Sequence, residues 1–286
     1  MGSNLQADDV QSRQTCFVRC CPRTALQKPE INFHLAIAIL IEKCYNIFRS
    51  SFVPLKGVKN LNKITVVTGH YGTGKTNLSV NLALMAAEEF PCVTVVDLDL
   101  VNPYFRTADF RQLFESRGIR LIAPDFANSN LDVPSVQFDI EELARETRNN
   151  GGCLIIDVGG DDAGAFALGR YAEALNSAEE KPEMLYVINQ RRSLTETADA
   201  AVELMYEIET ASRMKHTAIV NNTNLGCETT ADIIAQSADF ANTVAERTGL
   251  PLKWTTYPEE LCSLTETPEL PHILPVRVYV KPLWEV

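Results

Sequence analysis

The sequence predicts an α/β protein with a doubly wound, mostly parallel sheet flanked by helices. Three observations carry that expectation. From Ile64 onward, strand-like and helix-like stretches alternate, as a parallel sheet requires, because each strand must be returned by a crossover. Several strand stretches are almost continuously apolar, among them Leu154-Ile155-Ile156, Leu185-Tyr186-Val187-Ile188 and Ala218-Ile219-Val220, which suits strands covered on both faces. The first strand, finally, runs straight into a glycine-rich turn and then a helix.

Taken in order, hydrophobic patterning places strands at 64–68, 93–98, 119–123, 153–157, 184–189, 216–221 and 252–256. Helices are expected near 76–89, 106–116, 139–148, 163–177, 193–210 and 229–248. The segment 277–282, Arg-Val-Tyr-Val-Lys-Pro, reads as a short final strand ended by Pro282. In doubly wound sheets ligands sit beyond the carboxyl ends of the strands, so the residues following each strand are the ones to inspect.

The first such turn is Gly69-His70-Tyr71-Gly72-Thr73-Gly74-Lys75-Thr76, followed by Asn77. It matches G-x-x-x-x-G-K-[ST], a loop that wraps a polyphosphate with main-chain N–H groups. Glycine is needed where a side chain would collide or where φ is positive. The helix N-terminus adds partial positive charge, Lys75 a mobile cation, and the Thr76 hydroxyl a ligand for Mg²⁺. This pattern, between a strand and a helix, predicts nucleotide binding by residues 69–77.

Acids follow two further strands. Val95-Val96-Asp97-Leu98-Asp99 places two aspartates two residues apart, and Leu154-Ile155-Ile156-Asp157-Val158-Gly159-Gly160 ends a strand on one. Side chains two apart in a strand share a face, and a hard cation takes oxygen ligands. Asp97 and Asp157 are therefore candidate metal ligands with Thr76, and Lys75, Asp99 and Asp157 candidate catalytic groups. Asp161 and Asp162 are read as helix caps. After the sixth strand, Asn221 or Asn222 has an amide suited to the edge of a base, or else belongs to a polar turn. Tyr257-Pro258 either flanks the base or forms a surface turn. No N-K-x-D guanine selector is present.

Charge narrows the functional classes. Residues 1–60 hold 8 Lys/Arg against 4 Asp/Glu, whereas residues 61–286 hold 18 against 33. An acidic main domain argues against nucleic acid and against anionic membranes as partners. The eight cysteines form no C-x-x-C pair, which predicts reduced, cytoplasmic thiols without a disulfide framework. Residues 1–60 are expected to be a poorly ordered extension with one apolar helix within 31–48, too short in its clean core to span a bilayer. Residues 61–286 are expected to be the nucleotide-binding domain.

Together, GHYGTGKTNLSVNLAL, VVDLDLVNP and LIIDVGG resemble the MinD/ParA/Mrp group of P-loop ATPases, within the class that also holds CobQ/CobB and dethiobiotin-synthetase-like enzymes. The likeness covers about residues 62–260. It implies ATP and Mg²⁺ as cofactors and a hydrolase. By it, Asp99 orients the attacking water, Asp157 lies near Mg²⁺, Lys75 and Thr76 are the loop cation and metal ligand, and Asn221 or Asn222 meets the base. His70 departs from the pattern. The family carries there a second lysine that reaches across a nucleotide-sandwich dimer, and a mostly neutral histidine has less charge and less reach. The resemblance thus implies a nucleotide switch acting on a protein partner and leaves a homodimer open. A biosynthetic enzyme activating a small carboxylate and a non-hydrolysing nucleotide sensor are the alternatives.

Overall fold

The structure is a computed structural model and describes residues 61–99, 106–123, 139–177, 181–264, 270 and 272–280. All of them belong to one unit, Leu55–Val286. The expected extension 1–60 and its helix lie outside the described residues.

The chain runs β1 (Ile64–Gly69), α1 (Lys75–Glu89), β2 (Val93–Leu98), a 3₁₀ turn (Thr107–Phe110) leading into α2 (Arg111–Glu115), β3 (Ile119–Ile122), α3 (Ile140–Asn150) and β4 (Cys153–Val158). It continues through α4 (Asp162–Gly169), α5 (Ala172–Asn176), β5 (Glu183–Ile188), a 3₁₀ turn (Ser193–Thr195), α6 (Ala198–Ser212) and β6 (Ala218–Asn221). A 3₁₀ turn (Gly226–Glu228), α7 (Ala231–Gln236), α8 (Ala238–Thr248), β7 (Leu252–Pro258), α9 (Glu259–Leu264) and β8 (Ile273–Val276) complete it. The strands form one sheet in the order β3-β2-β4-β1-β5-β6-β7-β8. Every pairing is parallel, so the sheet is α/β and wholly, not mostly, parallel. β1 lies between β4 and β5, which puts the glycine-rich turn beside the loops that follow both neighbours.

Alternation along the strands splits the core into two layers. Val67, Val95, Ile155 and Val187 pack with Leu78, Leu82 and Met85 of α1. One residue out of phase, Val66, Val96, Leu154 and Ile156 pack with Ile140 and Leu143 of α3 and Leu168 of α4. Each large aliphatic side chain buried this way contributes about 1.5–3 kcal/mol. A third cluster joins Tyr186 and Ile188 to Met205 and Phe240. A sheet filled from both sides is rigid, and its loops inherit fixed starting points.

Several boundaries differ from expectation for identifiable reasons. The helix expected over 163–177 is two pieces, broken after Gly169, where α6 approaches so closely that a Cβ would lie 2.8 Å from the Ala211 carbonyl oxygen. The one expected over 229–248 divides at Ser237, whose Oγ donates to the Ile234 oxygen (2.7 Å). α6 starts only at Ala198, because Thr197 caps it by accepting from the Ala200 N–H. The sixth strand starts at Ala218 rather than 216 because Glu209 ties down the His216 N–H (2.9 Å). The final strand is Ile273–Val276, not 277–282: Arg277–Val280 leaves the sheet and is held by α1 instead, and 281–282 lie outside the described residues. Among the described residues no helix is long and apolar enough to cross a membrane.

Candidate functional site

β1 ends at Gly69 and α1 begins at Lys75, and the turn between them is strained in ways only glycine relieves. Gly74 has φ +87°, and a Cβ there would collide with Nδ2 of Asn222. Gly69 has φ +145°, and a Cβ would strike the Val187 carbonyl. The loop folds around one acceptor, the His70 carbonyl, which receives Thr73 N–H (3.3 Å), Thr73 Oγ1 (2.8 Å) and Lys75 Nζ (3.0 Å). The His70 ring stays local, with Nδ1 3.2 Å from the Tyr71 oxygen.

The acids gather behind this loop. Burial pushes the Lys75 amine below the usual lysine range, opposed by the carboxylates of Asp157, Asp99 and Asp161. Asp157 is itself buried, which raises its pKa. Thr107 (2.5 Å to Oδ2) and Ser79 (3.0 Å to Oδ1) donate to it, and Lys75 and Thr76 also favour its charged form. Asp97 is fully buried, and its oxygens accept the N–H groups of Asp99 (3.0 Å) and Ala108 (3.2 Å). Burial, with Asp157 beside it, pushes Asp97 up to about 7. Asp97 therefore fixes the backbone that carries Asp99. Asp161 caps α4, accepting from the Gly164 N–H at 2.9 Å.

A cavity of about 360 Å³ opens from the loop. Tyr71, Gly72, Gly74, Lys75, Thr76, Asp99 and Arg192 line it, together with Asn222, Thr223, Asn224, Thr256 and Pro258 and a wall of Val276, Val278 and Val280. Alternation along extended backbone brings the three valines to one side. Asn77, although it lines the cavity, is spent on that wall: its Nδ2 donates to the Arg277 oxygen (3.0 Å) and its Oδ1 accepts from Tyr279 N–H (2.8 Å). One turn on, Asn81 donates to the Arg277 oxygen (2.9 Å) and accepts from the Arg277 N–H (2.9 Å).

Of the two candidate asparagines, the structure brings Asn222 to the cavity and not Asn221. Asn221 is fully buried, donating to Ser237 (2.9 Å) and accepting from the Thr223 hydroxyl (2.8 Å). Asn222 ties the glycine loop to β7, donating to the Thr73 oxygen (2.6 Å) and accepting from the Thr256 hydroxyl (2.5 Å). Pro258 lines the cavity, whereas Tyr257 is buried. His70, Asp97 and Asp157 do not line it.

The donor set suits a magnesium ion better than a metal held by protein alone. Among the described residues no group of three or more His, Cys, Asp or Glu would hold a metal, whereas a Thr76 hydroxyl bonded to Asp157 beside a phosphate loop offers the one or two oxygens that Mg²⁺ takes from a protein. Sequence reasoning missed Ser79, Thr107, Asn81 and the valine wall. Asn77 and Asn81, four apart and so on one face of the helix, were the available signal.

No protein-family model and no curated protein matches the chain. Among solved structures it is similar to FtsY from Mycoplasma mycoides, at 20% identity over 79% of this chain and 72% of that one, with a TM-score of 0.45. It is also similar to the cell division protein FtsY from Thermotoga maritima (20% identity, 71% and 66% covered, TM-score 0.47). A third is signal recognition particle 54 kDa protein from Aeropyrum pernix K1 in complex with GDP (19%, 80% and 50%, 0.45). The chain thus spans about half the length of that last protein.

Proposed function

We propose that residues 61–286 form a Mg²⁺-dependent ATP-binding and ATP-hydrolysing domain of the MinD/ParA-like kind, a nucleotide switch acting on a protein partner in the cytoplasm. The observation that carries this reading is the continuity of one cavity from the glycine loop with Lys75 and Thr76 to an apolar wall of Pro258, Val276, Val278 and Val280. A ligand with a polyanionic end and a flat apolar end fits that lining. Among the described residues no two cysteines are joined in a disulfide, in keeping with a reducing compartment.

Catalysis in this reading is mostly positioning. Loop N–H groups and Lys75 would hold the phosphates, and Thr76 and Asp157 would hold Mg²⁺ directly or through water. When bound, the ion supplies neutralisation of charge developing on the phosphates. Asp99, kept in place by the Asp97 bond to its N–H, would orient the attacking water. The test is phosphate release from ATP and from GTP by the full chain, with Mg²⁺ and with EDTA. Mg²⁺-dependent release favouring ATP supports the reading. Release only on addition of a small carboxylate supports the biosynthetic alternative instead, and tight binding without release the sensor.

A further inference from the structure

Two cationic side chains line the cavity, Lys75 and Arg192. Arg192 comes from the loop after β5, the strand beside β1. Its Nε donates to the Gly72 oxygen at 2.8 Å, which seats the guanidinium over the tip of the glycine loop. That same bond uses only one of its three nitrogens, and a guanidinium presents five donors in a fixed fork suited to phosphate oxygens.

The loop bearing Arg192 is built to stay where it is. Asn189 Oδ1 accepts from the Arg191 N–H (2.9 Å), and the Asn189 carbonyl accepts from the Arg192 N–H (3.2 Å) and the Thr195 hydroxyl (2.6 Å). The Gln190 N–H donates to Thr223 Oγ1 (3.1 Å), and the Thr195 N–H donates to the Arg192 oxygen (2.9 Å). An exposed arginine on a loop so tied is not a wandering surface charge.

Resting on the nucleotide reading above, we propose that Arg192 is a phosphate ligand acting within the same chain, a second cation beside Lys75 directed at the terminal phosphate of a bound triphosphate. Its neighbours place it there. It lines the cavity with Tyr71, Gly72, Lys75 and Asp99, its Nε bonds the Gly72 oxygen, and the adjacent Tyr71 N–H and the Lys75 amine both lie against Gly160, where a Cβ would be 2.5 Å from the first and 2.7 Å from the second. A cation over the tip of the loop distinguishes a triphosphate from a diphosphate. Arg192 thereby makes the difference between the two nucleotide states part of the binding energy, as a switch requires.

Calorimetric titration of the full chain with Mg²⁺ and either the β,γ-imido analogue of ATP or ADP tests this without turnover. Arg192→Ala should weaken the triphosphate analogue about 10- to 100-fold, the range for a lost charge-assisted hydrogen bond, and ADP by no more than about 3-fold. Arg192→Lys should recover part of the loss. Unchanged affinity for the analogue, or equal weakening for both ligands, would overturn the assignment, the second result meaning that Arg192 only props the loop. Wild-type chain that binds neither nucleotide overturns the nucleotide reading itself, and the Arg192 assignment with it.

Discussion

Two parts of the cavity lining are built by opposite strategies. The glycine loop is one contiguous turn, Gly69–Thr76, strained by positive φ angles and closed around a single carbonyl. The valine wall and its surroundings are assembled from segments far apart in the chain, around Asn222, Thr256–Pro258 and Val276–Val280. No one of these carries a recognisable chemical pattern. What joins the two parts is a set of asparagines: Asn222 bridging Thr73 to Thr256, and Asn77 and Asn81 holding the segment Arg277–Val280 to α1. The helix that follows the glycine loop therefore also holds the valine wall.

That division of labour predicts separable losses. The largest effect belongs to the strained turn. Gly74→Ala forces a Cβ into the Asn222 amide at φ +87°, and with strain of about 3 kcal/mol binding of both ATP and tripolyphosphate should fall by about 100-fold or more, as read by calorimetry. An intermediate effect belongs to the wall. Asn81→Leu removes two hydrogen bonds to Arg277, worth about 1 kcal/mol each. It should weaken ATP about 30-fold while leaving tripolyphosphate untouched. Equal losses for both ligands would show that the two parts are not separable.

The smallest effect lies beneath the glycine loop. Thr68, the residue before Gly69, donates to the Leu185 oxygen (2.9 Å) and lies 2.8 Å from Nε2 of His216, whose other nitrogen faces Glu209. Burial alone would raise the Glu209 pKa, but hydrogen bonds from His216 and Lys215 overcome it and hold the carboxyl down at about 2. A depressed carboxylate contributes stability that is present above its unfolded value, near 4.5, and is lost as pH falls towards about 2. Urea unfolding across that window should show stability declining with acid, and Glu209→Gln should flatten the decline. An unaltered slope in the variant would remove Glu209 from the support of β1.

The same contrast explains what the sequence made legible. The parallel sheet was legible because uninterrupted apolar strands and intervening helices leave few other packings, and the tight turn Gly69–Gly74 because its geometry demands glycine at fixed places. Asp99 reached the cavity as its position at a strand end suggested. Asp97 did not, because a carboxylate two residues earlier is taken by main-chain N–H groups, which no local pattern announces. Asn221 and Asn222 are neighbours with opposite fates, since successive side chains of extended backbone point to opposite sides. The wall was illegible for a different reason: Arg277–Val280 has strand-like sequence, and only pairing with two helix asparagines draws it out of the sheet.

The most direct measurement is equilibrium binding of Mg²⁺–ATP to the full chain and to Lys75→Ala. The buried amine that bonds the His70 oxygen faces the cavity, and its loss should cost about 10- to 100-fold in affinity with the far-ultraviolet circular dichroism of the fold retained. Affinity in the variant equal to that of the wild type would contradict a nucleotide held at Gly69–Thr76.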